Sequence, residues 1–167
     1  MVPLRDNNPT RITPYVTYGL IIANVLVFVY ELSLPPRLLE EFFRIWAIVP
    51  RQLTESFTGQ LDYQSFPEWI TLFTSQFLHG GFLHIAGNML FLWIFGNNIE
   101  DRLGHLKYLV FYLACGALAG LAQWFFSAYS TVPSLGASGA IAGVMGAYIR
   151  VLARRLRAFR GAHLGDE

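Results

Sequence analysis

Apolar residues gather along this chain into four long runs, separated by polar or mixed stretches. The runs extend from about Tyr15 to Leu32, Phe82 to Ile99, Tyr108 to Ser127, and Gly136 to Leu152. A helix that crosses a bilayer needs about 20 mainly apolar residues, within a range near 17–25. Each run meets that length, so the pattern predicts four spans. The first follows a polar stretch carrying Arg5 and Arg11 and is closed by Pro35-Pro36. A cleaved signal peptide would show a similar run. Here the chain continues Glu31-Leu32-Ser33-Leu34-Pro35 with no small-residue cleavage site, which predicts a retained span.

The stretch from Arg37 to about Gln76 is different. Leu38, Leu39, Phe42, Phe43, Trp46 and Val49 recur at helical spacing, with Glu40, Glu41 and Arg44 between them. This predicts an amphipathic helix, either lying in the membrane interface or packed on the rest of the protein. A charged turn, Glu100 to Lys107, joins the second and third spans. A neutral loop, Ala128 to Leu135, joins the third and fourth, and Trp124 stands as an interface anchor before it.

Composition agrees. The 167 residues are 54% hydrophobic and only 14% charged, against about 25% charged in soluble domains. The mean hydropathy is +0.41. The predicted fold class is all-α, a polytopic transmembrane helix bundle over 1–152 with a basic tail over 153–167. The lone Cys115 permits no intrachain disulfide. Its place in an apolar run reads as a small buried hydrophobe. The sequence holds no zinc spacing, phosphate loop or nucleic-acid motif, so the expected partner is the lipid bilayer and not nucleic acid.

Four spans put both termini on one side. That side carries Arg5, Arg11, Arg102, Lys107 and Arg150, Arg154, Arg155, Arg157 and Arg160, whereas the other carries Arg37, Arg44 and Arg51. The positive-inside rule then places both termini in the cytoplasm, with the plasma membrane as the expected location. Arg37–Gln76 and the start of the fourth span face outward.

The fourth span opens Gly136-Ala137-Ser138-Gly139 and continues with Gly143, Gly146 and Ala147. Gly139/Gly143 and Gly143/Ala147 are small-xxx-small pairs that let helix backbones approach closely. Ser138 falls in the first turn, where unpaired N–H groups and the positive dipole end collect. Those groups would stabilise a negative charge developing beside it. A plain helix-capping serine is the simpler reading of the motif alone. In the second span, His84 and Asn88 lie four apart and share a helical face, with His79 just before it. Polar groups at membrane depth are costly and face the bundle interior, either as interhelical glue or as a functional site.

The stretch Phe77-Leu78-His79-Gly80-Gly81-Phe82-Leu83-His84-Ile85-Ala86-Gly87-Asn88 resembles the second-helix motif of the rhomboid family of intramembrane serine proteases. Gly136-Ala137-Ser138-Gly139 resembles that family's GxSG motif. Glu100 and Gly104 resemble its turn after the second helix, and Val16-Thr17-Tyr18 leading to Asn24-Val25-Leu26 resembles its first span. The resemblance runs from about Thr13 to Tyr148. It implies hydrolysis of a peptide bond in transmembrane protein substrates, with Ser138 as nucleophile. His84, Asn88 and the Ser138 backbone N–H would form the oxyanion hole, Gly136, Gly139, Gly143 and His79 would support motif and packing, and no metal or organic cofactor is implied. Arg37–Gln76 would match the family's half-submerged loop.

The resemblance departs at two points. Glu68-Trp69-Ile70 stands where many members carry Trp-Arg. The family's base is a histidine on a sixth span, while this pattern stops at four, so the expectation is a chain that stops short of that helix. His163, in Ala162-His163-Leu164-Gly165, faintly echoes the sixth-span motif. Were the chain helical throughout, its 25-residue separation from Ser138 would mean roughly 37 Å of rise, far beyond the roughly 3 Å that proton transfer needs. His84 is then the nearer candidate for a base and His105 falls in the cytoplasmic turn. The alternative from another class is an inactive membrane protein that binds transmembrane clients. A small transporter using the His84/Asn88 face ranks third.

Overall fold

The computed structural model describes residues 11–59 and 67–163, with side chains through 153. Arg5 and the side chains of Arg154, Arg155, Arg157, Arg160 and His163 lie outside the described residues, so the charge count behind the topology rests in part on sequence alone.

The first apolar run forms α1, Tyr15–Ser33. The Leu34 N–H closes it on the Glu31 carbonyl at 3.2 Å, and Pro35-Pro36 prevents continuation. No side chain of its own caps the start. Instead the carboxylate of Glu100, fully buried on a distant helix, accepts the N–H groups of Val16 (2.9 Å) and Thr17 (2.8 Å) and the Thr17 hydroxyl (2.7 Å). A negative group at a helix N-terminus satisfies its orphan donors and its dipole together.

The segment after α1 contains α2, Pro36–Trp46, and α3, Pro50–Thr58. None of α2 is buried in the protein, and Leu38 is half exposed, so its apolar side needs lipid or headgroup contact. The helical spacing breaks before Val49. Pro50 opens α3 and holds the preceding residue extended, while Ile48 leaves the helix to pair with Ser134. Short turns follow at Glu68–Ile70, Thr71–Thr74 (α4) and Ser75–Phe77.

The second and third runs form α5, Phe82–Leu103, and α6, His105–Phe126. The charged turn contracts to one residue. Gly104, at φ 75°, ends α5 and starts α6, a left-handed conformation that suits glycine. Glu100, Asp101 and Arg102 are therefore still helical. The fourth run lies in α7, Ser138–His163, which continues past residue 152 without a break. By length and composition α1, α5 and α6 can each cross a membrane, whereas the apolar part of α7, Ser138–Ala153, is shorter.

The core joins Leu20, Leu92, Ile99, Tyr108, Tyr112, Ile141 and Val144. Small residues set the closest approach of α6 and α7. A Cβ on Gly139 would run into Ala119, and one on Gly143 into the Cys115 Sγ. Outside, Leu83 is 91% and Phe126 85% exposed. Apolar surface on this scale belongs against lipid, and the protein is an integral membrane protein.

Candidate active site

Ser138 is the first residue of α7 and is not covered by the described residues. The stretch leading into it is held by backbone hydrogen bonds from two sides. Ile48 and Ser134 exchange N–H to carbonyl bonds of 3.1 and 2.7 Å, and the Gly136 N–H donates to the Ser75 carbonyl at 2.8 Å. Farther up the loop, the Arg51 N–H reaches the Ser130 carbonyl (3.0 Å) and the Thr54 hydroxyl reaches that of Ala128 (2.8 Å). The Trp124 indole donates to the same Thr54 hydroxyl at 2.9 Å. The segment between α1 and α5 thus fixes the entry angle of α7.

Gly136 has φ +120°, a conformation L side chains rarely adopt. A Cβ there would also lie 2.6 Å from His84 Nε2 and 3.7 Å from Asn88 Nδ2. The polar pair on α5 therefore sits directly over the chain two residues before Ser138. His79, just ahead of α5, completes the group. Its Nε2 lies 3.0 Å from Asn88 Nδ2, and its ring centroid is 5.0 Å from that of His84. Burial, and next the adjacent His84 ring, push the His79 pKa down to about 4, with the Phe77 carbonyl opposing. A neutral His79 can accept from the Asn88 amide, which keeps its second N–H free. The proton then resides on Nδ1, which is buried on the side of the Phe77 carbonyl and forms no close hydrogen bond among the described residues.

Beside Ser138, on the α6 side, a cavity of about 170 Å³ opens. Gln76, Gly116, Gln123, Ser134, Gly136 and Ser138 are among its lining residues. The Gln76 amide donates to the carbonyls of Leu72 (2.9 Å) and Leu113 (3.1 Å), and its Oε1 has no partner among the described residues. A Cβ on Gly116 would occupy the place of that carboxamide. Polar lining and this size suit water. Ser138 lines this cavity and opens α7, two residues after the glycine over which the α5 polar pair sits.

The rhomboid domain family matches residues 67–165, which takes in His79, α5, α6 and Ser138. The chain belongs to the rhomboid family. Among its relatives, rhomboid protease GluP of Bacillus subtilis is 44% identical over 84 residues, 50% of this chain and 16% of the relative. Rhomboid-like protein 11, chloroplastic, of Arabidopsis thaliana is 31% identical over 122 residues, 73% of this chain and 40% of the relative. The human presenilin-associated rhomboid-like protein, mitochondrial, is 30% identical over 133 residues, 77% and 31%. The chain spans less than half the length of each.

The remaining histidines lie elsewhere in this rhomboid chain. His105 Nδ1 contacts Glu100 at 2.6 Å, at the opposite end of α5 from His84. His163 ends the uninterrupted helix that Ser138 begins, which sets them roughly 37 Å apart along its axis. Sequence reasoning missed two features. Gln76 carried no periodic signal. Glu31 carried a clear one, an acid inside an apolar span, but its partner is 48 residues away, where the His79 N–H meets its carboxylate at 3.2 and 3.3 Å.

Proposed function

We propose that this chain carries the nucleophile and oxyanion-binding parts of an intramembrane serine endopeptidase acting on transmembrane protein substrates. Ser138 attacks the scissile carbonyl. The Ser138 N–H, the free Asn88 N–H and His84 receive the oxyanion, aided by the positive end of α7. Gly136 permits this by leaving room for the His84 ring, and Gly139 and Gly143 keep α7 tight on α6. The cavity beside Gln76 supplies water for deacylation. The observation that carries the reading is His84 Nε2 and Asn88 Nδ2 converging on Gly136, two residues before a serine at a helix N-terminus. The proposed topology places both termini in the cytoplasm of a plasma membrane, with Ser138 toward the outer face.

A serine hydroxyl also needs a base. Among the described residues no histidine is hydrogen-bonded to Ser138. That observation favours a second reading, an inactive rhomboid that binds transmembrane clients. Labelling with a serine-directed fluorophosphonate in detergent separates the two. Labelling of wild type that vanishes in Ser138→Ala supports the protease, with His84 or a group from another chain as base. A folded, monodisperse wild type that stays unlabelled supports either the binding protein or the nucleophile-bearing part of a protease whose base lies outside this chain.

A further inference from the structure

The outer end of α1 holds an acid in an unfavourable place. Glu31 is 2% exposed and lies in the last turn of its helix, where the negative dipole end opposes a carboxylate. It forms no ion pair among the described residues. Burial of such a group is costly unless it is hydrogen-bonded, and the donor that meets it is the His79 backbone N–H, at 3.2 and 3.3 Å from its two oxygens. One turn earlier on α1, Phe28 packs edge-on against Phe82, the first residue of α5, with ring centroids 5.1 Å apart. The two contacts pin the short connection between Phe77 and α5 from the α1 side. That connection carries the imidazole whose Nε2 meets Asn88 Nδ2 at 3.0 Å.

We propose that Glu31 is a positioning residue for the α5 polar group: its carboxylate fixes the His79 backbone, and through it the ring that orients the Asn88 amide. The chain of contact runs from α1 through His79 to Asn88 and ends beside Gly136. This rests on the reading of that group as the oxyanion site. The link itself is a bond to a main-chain N–H, so it depends on the reach of the Glu31 side chain and on an acceptor oxygen, not on charge. Gln keeps both. Asp keeps the charge but is one methylene short. Leu keeps the bulk and has no acceptor.

The test uses the full chain in detergent, as wild type, E31Q, E31D and E31L. Three quantities are read: hydrogen exchange of the His79 amide, the pH titration of its ¹⁵N-labelled imidazole, and the rate of fluorophosphonate labelling. The Asp and Leu variants should speed His79 exchange and slow labelling about tenfold or more, the scale of one buried hydrogen bond. Their imidazole titration should move toward that of a free histidine. The Gln variant should rescue all three. Should Leu prevent folding, the Gln and Asp pair decides. Unchanged His79 exchange in Asp and Leu, or Gln behaving like Leu, overturns the proposal. A wild type that never labels, while His79 still responds to the Glu31 variants, supports the Glu31–His79 link and counts only against this chain completing the proteolytic site by itself.

Discussion

Glu68→Gln is a substitution that should make the protein more stable, and only at the right pH. Glu68 opens the turn after Pro67, is 2% exposed, and neither of its carboxyl oxygens has a hydrogen-bond partner among the described residues. Burial alone raises its pKa from 4.5 to about 7. The folded state therefore holds the proton more tightly than the unfolded chain. Below about pH 4.5 both states are protonated and the shift costs nothing. As pH rises through 4.5 toward 7 the unfolded chain releases its proton first, and stability falls. At about 1.4 kcal/mol per pKa unit the ceiling is about 3 kcal/mol. Partial screening by water at the membrane surface brings the expected loss to about 1–2 kcal/mol at pH 8. Gln has the same shape and no proton to lose. Thermal unfolding in detergent should show E68Q matching wild type at pH 4.5 and exceeding it at pH 8 by about 2–8 °C, at roughly 2–4 °C per kcal/mol. His79 acts in the opposite sense, since its lowered pKa removes stability as pH falls from about 6.5 toward 4. That slope is common to both proteins and cancels in the difference. A gap between them that is equal at pH 4.5 and pH 8 would refute the reasoning.

Two further outcomes follow from the geometry. Gly136→Ala places a methyl group at a φ of +120° and against His84 Nε2. Strain of about 1–3 kcal/mol should appear as lost thermal stability, and displacement of His84 should abolish Ser138 labelling in the fraction that folds. Normal labelling of G136A would count against His84 as an oxyanion donor. Glu100→Ala strips the start of α1 of the carboxylate that accepts two backbone N–H groups and a hydroxyl. Buried donors left unpaired cost about 1–3 kcal/mol each, so E100A should lose about 3 kcal/mol or more, and a loss below about 1 kcal/mol would rule out that role.

Much of the fold was legible because the bilayer imposes long apolar runs and penalises every exception. The first three runs and their order follow directly from that. Ser138 at a helix start and the small faces of Gly139 and Gly143 were equally visible, since both are local patterns. Helix ends were less so. The charged residues after Ile99 looked like a turn, yet an α-helix carries charge readily where it leaves the membrane, and only Gly104 could stop it. Val49 fitted a helical stripe by spacing, but the strand-like pairing of Ile48 with Ser134 overrode local preference. Such pairings, like the bond from His79 to Glu31 or the caps that Glu100 supplies to α1, join residues tens of positions apart and leave no periodic trace. A single acid within an apolar run marks that a partner exists without naming it.

The bonds around Ser134 and Gly136 run through main-chain atoms, from Ile48 on one flank and Ser75 on the other. Bonds of this kind are indifferent to side-chain identity and intolerant of altered spacing. Gly136 apart, the loop between Phe126 and Ser138 can therefore drift in composition over evolutionary time, while gaining or losing a single residue near Ser134 would change the rotation of α7 and with it the placement of Ser138. Length, more than lettering, is the heritable quantity in that loop.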